Sequence, residues 1–154
     1  PDRREERRGP QASGEGTLTV SPLRMALIAA AIANGGLMPA PRLVSQTQAA
    51  DGFQLAPAVG QPVAVLSPQL AAQIADLMAR VSQTGIGAKS GIAGTSIAGH
   101  FAVAHTGEDN GNVAWFIGFA PSASSGTAVA VALENAAPQE AVSIGVLLLL
   151  AATR

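Results

Sequence analysis

Phe101-Ala102-Val103-Ala104-His105-Thr106-Gly107, then Glu108-Asp109-Asn110-Gly111-Asn112, then Val113-Ala114-Trp115-Phe116-Ile117-Gly118-Phe119 is the stretch on which the fold turns. The first run has the period of two expected of a strand. The last is more continuously apolar, as a strand covered on both faces is. Asn110-Gly111 between them is a hairpin-turn signal, so the two runs are expected to pair antiparallel about that turn. Further on, Pro121 to Gly126 reads as another turn, and Thr127, Val129, Val131 and Leu133 alternate with alanines as a third strand. Pro138 to Ala152 reads as a closing helix, and its Leu147 to Leu150 run suggests a buried element.

Toward the N-terminus, Ser21-Pro22 and Ser67-Pro68 each offer a serine N-cap and a proline at the first helical position, where a missing N–H is harmless. Met25, Ile28, Ala29 and Ile32 follow the first at helical spacing, and Asn34-Gly35-Gly36 stops it, because glycine tolerates the left-handed conformation of a helix end. Leu70, Ile74, Leu77, Met78 and Val81 form the apolar stripe of the second, which is expected to end near Gly85. A short strand is expected over Pro41 to Thr47, a loop over Asp51 to Pro62, and weakly patterned chain over Gly85 to Gly99, with His100 in a loop. Trp115, Met25 and Met78 are expected in the core. The fold class is therefore α+β: an antiparallel meander sheet packed with helices.

The 154 residues suit one domain. Nine basic against ten acidic side chains give no basic surface for nucleic acid. The absence of cysteine excludes disulfides and thiolate metal sites. The charged residues 2–8 read as a solvated tail or linker covering residues 1–13, with the domain over 14–154. No signal peptide is visible in the chain. The apolar run from Ile144 to Ala152 is short of the roughly 20 residues a bilayer span needs. His100, His105, Glu108 and Asp109 lack the spacing of a zinc site, so no metal is expected.

Four stretches, in order, resemble the penicillin-binding-protein transpeptidases. Gly14 to Ala26, with Thr19-Val20-Ser21-Pro22-Leu23-Arg24-Met25-Ala26, is similar to the family's Gly-Gln-Gly and Thr-Pro-Leu-Gln-Met-Ala segment. Ala31-Ile32-Ala33-Asn34-Gly35-Gly36 and Pro41-Arg42-Leu43-Val44 resemble the helix end and strand that come next in the family. Ala104-His105-Thr106-Gly107 stands where the family has Lys-Thr-Gly, and Trp115-Phe116-Ile117-Gly118-Phe119-Ala120-Pro121 resembles its Trp-Phe-x-Gly-Phe-x-Pro strand. The resemblance implies the C-terminal half of a transpeptidase domain that cross-links peptidoglycan stem peptides, is acylated by β-lactams and works outside the cytoplasm, its parent anchored in the membrane. That chemistry needs Ser-x-x-Lys, a Ser-x-Asn loop and Lys-Thr-Gly. The one lysine, Lys89, follows Ile86 by three residues, and no Ser-x-Asn occurs. Ser21-Pro22-Leu23-Arg24 is the nearest imitation, and an arginine stays protonated and cannot serve as base. No catalytic residue is therefore assigned within the chain.

The resemblance assigns substrate binding to His105, Thr106, Gly107 and Glu108. A cation attracts a terminal carboxylate and a hydroxyl hydrogen-bonds it; glycine lets a substrate backbone lie along the strand edge; the next main-chain N–H can face a developing oxyanion. Two departures weaken the site. A histidine is only partly charged near neutral pH, so it holds a carboxylate less firmly as pH rises. Glu108 replaces the family's threonine and brings a negative charge near the incoming carboxylate. The alternative function is a degenerate, non-catalytic module that holds peptidoglycan or a protein partner. No cofactor is implied. Without the strands that complete the sheet in the family, the Thr127 to Leu133 strand would be an open edge, and the helices at Pro22 and Pro138 would show apolar faces, so a homo-oligomer is expected.

Overall fold

The computed structural model describes residues 19–44, 46–52, 54–55, 58–84, 96–106, 111–120 and 126–152. The expected tail over 1–13, the segment over 85–95 and the turns at 107–110 and 121–125 lie outside them. Helix α1 (Pro22–Ala33) is followed by strands β1 (Leu37–Met38), β2 (Thr47–Gln48), β3 (Gln54–Leu55) and β4 (Val63–Ala64), helix α2 (Pro68–Ser82), strands β5 (Ala98–Thr106), β6 (Gly111–Ala120) and β7 (Thr127–Glu134), and helix α3 (Pro138–Ala152). The sheet runs β5-β6-β7, antiparallel throughout, and the architecture is the α+β meander expected.

The helices begin where the local chemistry says they should. Ser21 Oγ accepts the N–H of Arg24 and Ser67 Oγ that of Leu70, each at 3.2 Å, with proline in the first turn. Helix α1 ends as Gly36 N–H reaches back to the Ala31 carbonyl at 2.7 Å. Gly35 and Gly36 take φ of 60° and 94° there. Gly36 is also pressed against the Leu66 main chain, so no side chain fits. At the start of α3, Glu140 folds back to accept the Ala137 N–H at 2.9 Å, the acidic half of a capping box.

Strand β6 is central, and its side chains alternate between two cores. Ala114, Phe116 and Ala120 join Ile97, Val131 and the α3 residues Ala141, Val142, Val146 and Leu149 on one face. Phe119 joins Ile32, Met78 and Ala98 under α1 and α2 on the other. The ring of Phe116 is the keystone of the first core. It lies against Gly99 of β5, Gly118 of β6 and Gly145 of α3, at each of which a Cβ would collide with it.

Several sequence expectations need correction. Pairing runs to Thr106↔Gly111, so Gly111 is already in the ladder and residues 107–110 make the connection; Asn110-Gly111 is not a two-residue turn. Such a turn would set Phe116 opposite His105. The observed register sets it opposite Phe101 and beside the Gly99–Gly118 pair, where the ring has room. Of the described residues from Pro41 to Thr47 only Thr47 lies in a strand, the two-residue Thr47–Gln48, which pairs with Gln54–Leu55 of the expected loop; Leu37–Met38 pairs with Val63–Ala64. His100 is a β5 strand residue, exposed. Trp115 is half-buried and outside both core clusters, since its face of the sheet is covered by α1 and α2 toward the other end. Met78 is in the core, whereas Met25 is only half-buried. In α3 only Leu149 of the leucine run is buried; Leu147 and Leu148 are 66% and 50% exposed, because the sheet covers one side of that helix.

Ser82 is a buried hydroxyl joining helix to sheet. It donates to the Met78 carbonyl at 2.9 Å and accepts the Gly99 N–H at 2.8 Å. Ser82→Ala strands that N–H and is expected to lower unfolding free energy by about 1–3 kcal/mol. Urea denaturation measures the loss, and faster hydrogen exchange at Gly99 locates it; an unchanged midpoint would show that the bond contributes nothing net.

Candidate functional site

The expected site residues fall at the end of β5. This strand pairs with β6 on one side and, among the described residues, with no strand on the other. The direction of its main-chain groups follows from the ladder. Gly99 sends its N–H away from β6, to Ser82 Oγ. Alternate residues of an antiparallel strand direct N–H and C=O to the same side, so Phe101, Val103 and His105 also present theirs to the open edge. An extended peptide laid along β5 would meet these groups.

His105 is exposed one residue before the strand ends, and Thr106, the last residue, pairs with Gly111. Gly107 and Glu108 lie outside the described residues. His105 shares a face with Phe101, Val103, Asn112 and Ala114, the face covered farther along by α3. The Asn112 side-chain oxygen is buried there without a hydrogen-bond partner. Sequence reading did not single out Asn112; its only signal was its place beside the turn. Two depressions lie elsewhere. One is an apolar cavity lined by Ile28, Ala31, Met38, Val65 and Leu66; the other lies along α3 at Gln139, Glu140, Ser143 and Ile144. Among the described residues there is no group of three or more metal-ligating side chains, and no helix is long and apolar enough to cross a membrane.

The described serines near this framework are committed to structure. Ser21 and Ser67 cap helices, Ser82 ties α2 to β5, and Ser143 donates to the Gln139 carbonyl at 2.8 Å. None stands three residues before a lysine. The arrangement offers a strand edge with outward main-chain groups, and no serine paired with a lysine among the described residues.

A sheet strand ending in His105-Thr106, its outer side paired with no strand among the described residues, backed by α3 on one face and by α1 and α2 on the other, defines a domain of the penicillin-recognising transpeptidase class. The family model for the penicillin binding protein transpeptidase domain matches residues 4–145, and the chain belongs to that family. It is 36% identical over 146 residues to peptidoglycan D,D-transpeptidase PbpA of Mycobacterium tuberculosis, covering 90% of this chain and 29% of that protein. The solved imipenem acyl-enzyme complex of penicillin-binding protein A from M. tuberculosis superposes with a TM-score of 0.76 at 33% identity, over 91% of this chain and 33% of that one. The D,D-transpeptidase domain of a peptidoglycan glycosyltransferase from Eggerthella lenta superposes with a TM-score of 0.67 at 27% identity, over 86% of this chain and 33% of that one. The chain thus spans about a third or less of the length of these relatives.

Proposed function

We propose that this chain supplies the substrate-binding strand edge of a peptidoglycan D,D-transpeptidase, working with a serine nucleophile that the chain itself does not carry. The observation that supports this most is the position of His105-Thr106 at the end of a strand that, among the described residues, pairs with no strand on its outer side. In this reading His105 attracts the substrate's terminal carboxylate, and the Thr106 hydroxyl hydrogen-bonds it. Gly107 admits the peptide backbone, and the Glu108 N–H faces the carbonyl oxygen under attack. Stem peptides ending in D-Ala-D-Ala, and β-lactams that imitate them, are the ligands proposed. The site faces the outside of the cytoplasmic membrane, where peptidoglycan lies, and the parent is anchored there.

NMR titration of the chain with a peptide ending in D-Ala-D-Ala, against the same peptide with its carboxylate amidated, tests the site. Shifts centred on residues 101–108 that need the free carboxylate are expected. Shifts elsewhere, or equal shifts with the amidated peptide, would sink the reading. The absence of Ser-x-x-Lys and Ser-x-Asn from the chain favours, as second reading, a non-catalytic module holding peptidoglycan or a protein partner; peptide binding by a parent that lacks both motifs would select it.

The chain is further proposed to self-associate through β7. Asn112 accepts the Asn135 N–H at 2.8 Å, and alternation then turns the main-chain groups of Ala128, Ala130 and Ala132 outward. The strand runs eight residues without proline, lysine or a break in register, so it lacks the usual devices that protect an edge. Light scattering after size exclusion is expected to show a dimer or larger species at micromolar concentration. Ala130→Pro, which removes an outward N–H, should shift it toward monomer with the helical and strand signals of the fold retained. A wild-type monomer would overturn this.

A further inference from the structure

We propose that Asn112 is the positioning residue of His105: its side-chain carbonyl accepts one imidazole N–H and thereby sets which ring nitrogen faces the open edge of β5. The inference rests on the reading of His105 as a carboxylate-binding residue, and adds to it the group that orients the ring.

The register pairs His105 directly with Asn112. On its other side Asn112 spends its main-chain carbonyl on the Asn135 N–H, at 2.8 Å. A strand residue directs both main-chain groups to one neighbour. His105 and Asn112 are therefore a non-hydrogen-bonded cross-strand pair. The outward turn of the Gly99 N–H, at a position of the same parity as His105, leads independently to the same assignment. In such pairs the Cα atoms approach to about 4.5 Å and the side chains come closer than anywhere else in the ladder.

The chemistry of the pair is complementary. Asn112 Oδ1 is buried without a partner, and a buried carbonyl in that state has lost its water with nothing in return. On the same face Val103, Ala114 and Leu133 have no side-chain donor to offer, and the side-chain amide of Asn135, beside Asn112 at the end of β7, is exposed and makes no bond to Asn112 Oδ1. The imidazole of His105 always carries at least one N–H, in either neutral tautomer or when protonated. A rotation of the exposed ring toward Asn112 supplies the missing donor and leaves the second nitrogen pointing outward. A lysine at this position would present the same ammonium in any orientation. A histidine must present a particular nitrogen, and the amide opposite performs that selection.

The test reads the ring itself. Long-range ¹H–¹⁵N correlation spectra of the 154-residue chain report the tautomer ratio of neutral His105. One tautomer is expected to dominate in the wild type. In Asn112→Ala the ratio should relax about fivefold, the equilibrium equivalent of one net hydrogen bond. Asn112→Asp, which keeps an acceptor in place, should restore the bias. Asn112→Leu, similar in volume and unable to accept, should behave like the alanine variant, which separates loss of the bond from loss of packing. Equal ratios in wild type, Asn112→Ala and Asn112→Leu would overturn the proposal, as would a collapse of the hairpin resonances in both variants, which would mark Asn112 as a folding residue. If the ring is biased as expected and the D-Ala-D-Ala peptide still produces no carboxylate-dependent shifts, the binding reading fails and the positioning stands.

Discussion

Incubated with a labelled penicillin and analysed by mass spectrometry, this chain takes up no covalent adduct on any serine. Acylation needs a serine oxygen that loses its proton as it attacks the lactam carbonyl, and a basic group held beside it to accept that proton. Lys89 is the only lysine, and Ile86 stands three residues before it. The described hydroxyls nearest the sheet are engaged as caps or tethers: Ser21 and Ser67 accept main-chain N–H groups, and Ser82 is buried between α2 and β5. A positioned base alone contributes about 10²–10⁴-fold to such a step, so any background labelling should match that of denatured chain. An adduct on one serine, formed faster than in denatured chain, would locate a nucleophile that neither the motif search nor the hydrogen bonding reveals.

The largest expected effect on stability is at Phe116 and its glycines. Phe116→Ala should cost about 3–5 kcal/mol, a large part of the about 5–15 kcal/mol that holds a domain of ordinary stability. Gly145→Ala is the sharper probe. Alanine in mid-helix is ordinarily better than glycine by about 1 kcal/mol, so propensity alone predicts stabilisation. Here the added methyl would overlap the Phe116 ring, and overpacking of that kind costs about 1–3 kcal/mol. A net loss of stability is expected, with urea denaturation giving the midpoint shift. Two controls make the cause visible. Gly126→Ala, whose Cβ would meet only the Ala120 carbonyl at 3.5 Å, should be nearly neutral. Phe116→Leu combined with Gly145→Ala should be less destabilised than the two separate losses added together, because the smaller side chain makes room. Strict additivity, or a more stable Gly145→Ala, would remove Phe116 from its place at the centre of the core.

The local chemistry of the sequence was sufficient for the three helices and the three strands of the main sheet, though not for the short strand pairs between α1 and α2. Ser21-Pro22 and Ser67-Pro68 carry helix starts that depend only on a hydroxyl and a ring within one turn, and both helices begin there. The closing helix runs over Pro138–Ala152 as the sequence indicates. The third strand of the sheet extends from Thr127 to Glu134, one residue beyond its last alternating leucine. The site was legible in part. His-Thr-Gly was recognisable as a motif, and His105 is exposed on an edge strand. Asn112 was not legible, because an asparagine beside a turn reads as turn chemistry until its cross-strand partner is known.

By itself the sequence determined that two capped helices, three strands and an apolar closing helix form one α+β unit, and that no serine in it is paired with a lysine. These are properties of residues close together in the chain, set by capping, periodicity and spacing. Only the tertiary structure decided the hairpin register, the pairing of Leu37–Met38 with Val63–Ala64, and which leucines of α3 are covered. Each of those depends on segments distant in sequence. Asn-Gly would favour a tight turn by local preference, but seating the Phe116 ring among Gly99, Gly118 and Gly145 buries far more surface than one turn type can offset. That seating sets His105 opposite Asn112 at the end of the β5–β6 ladder.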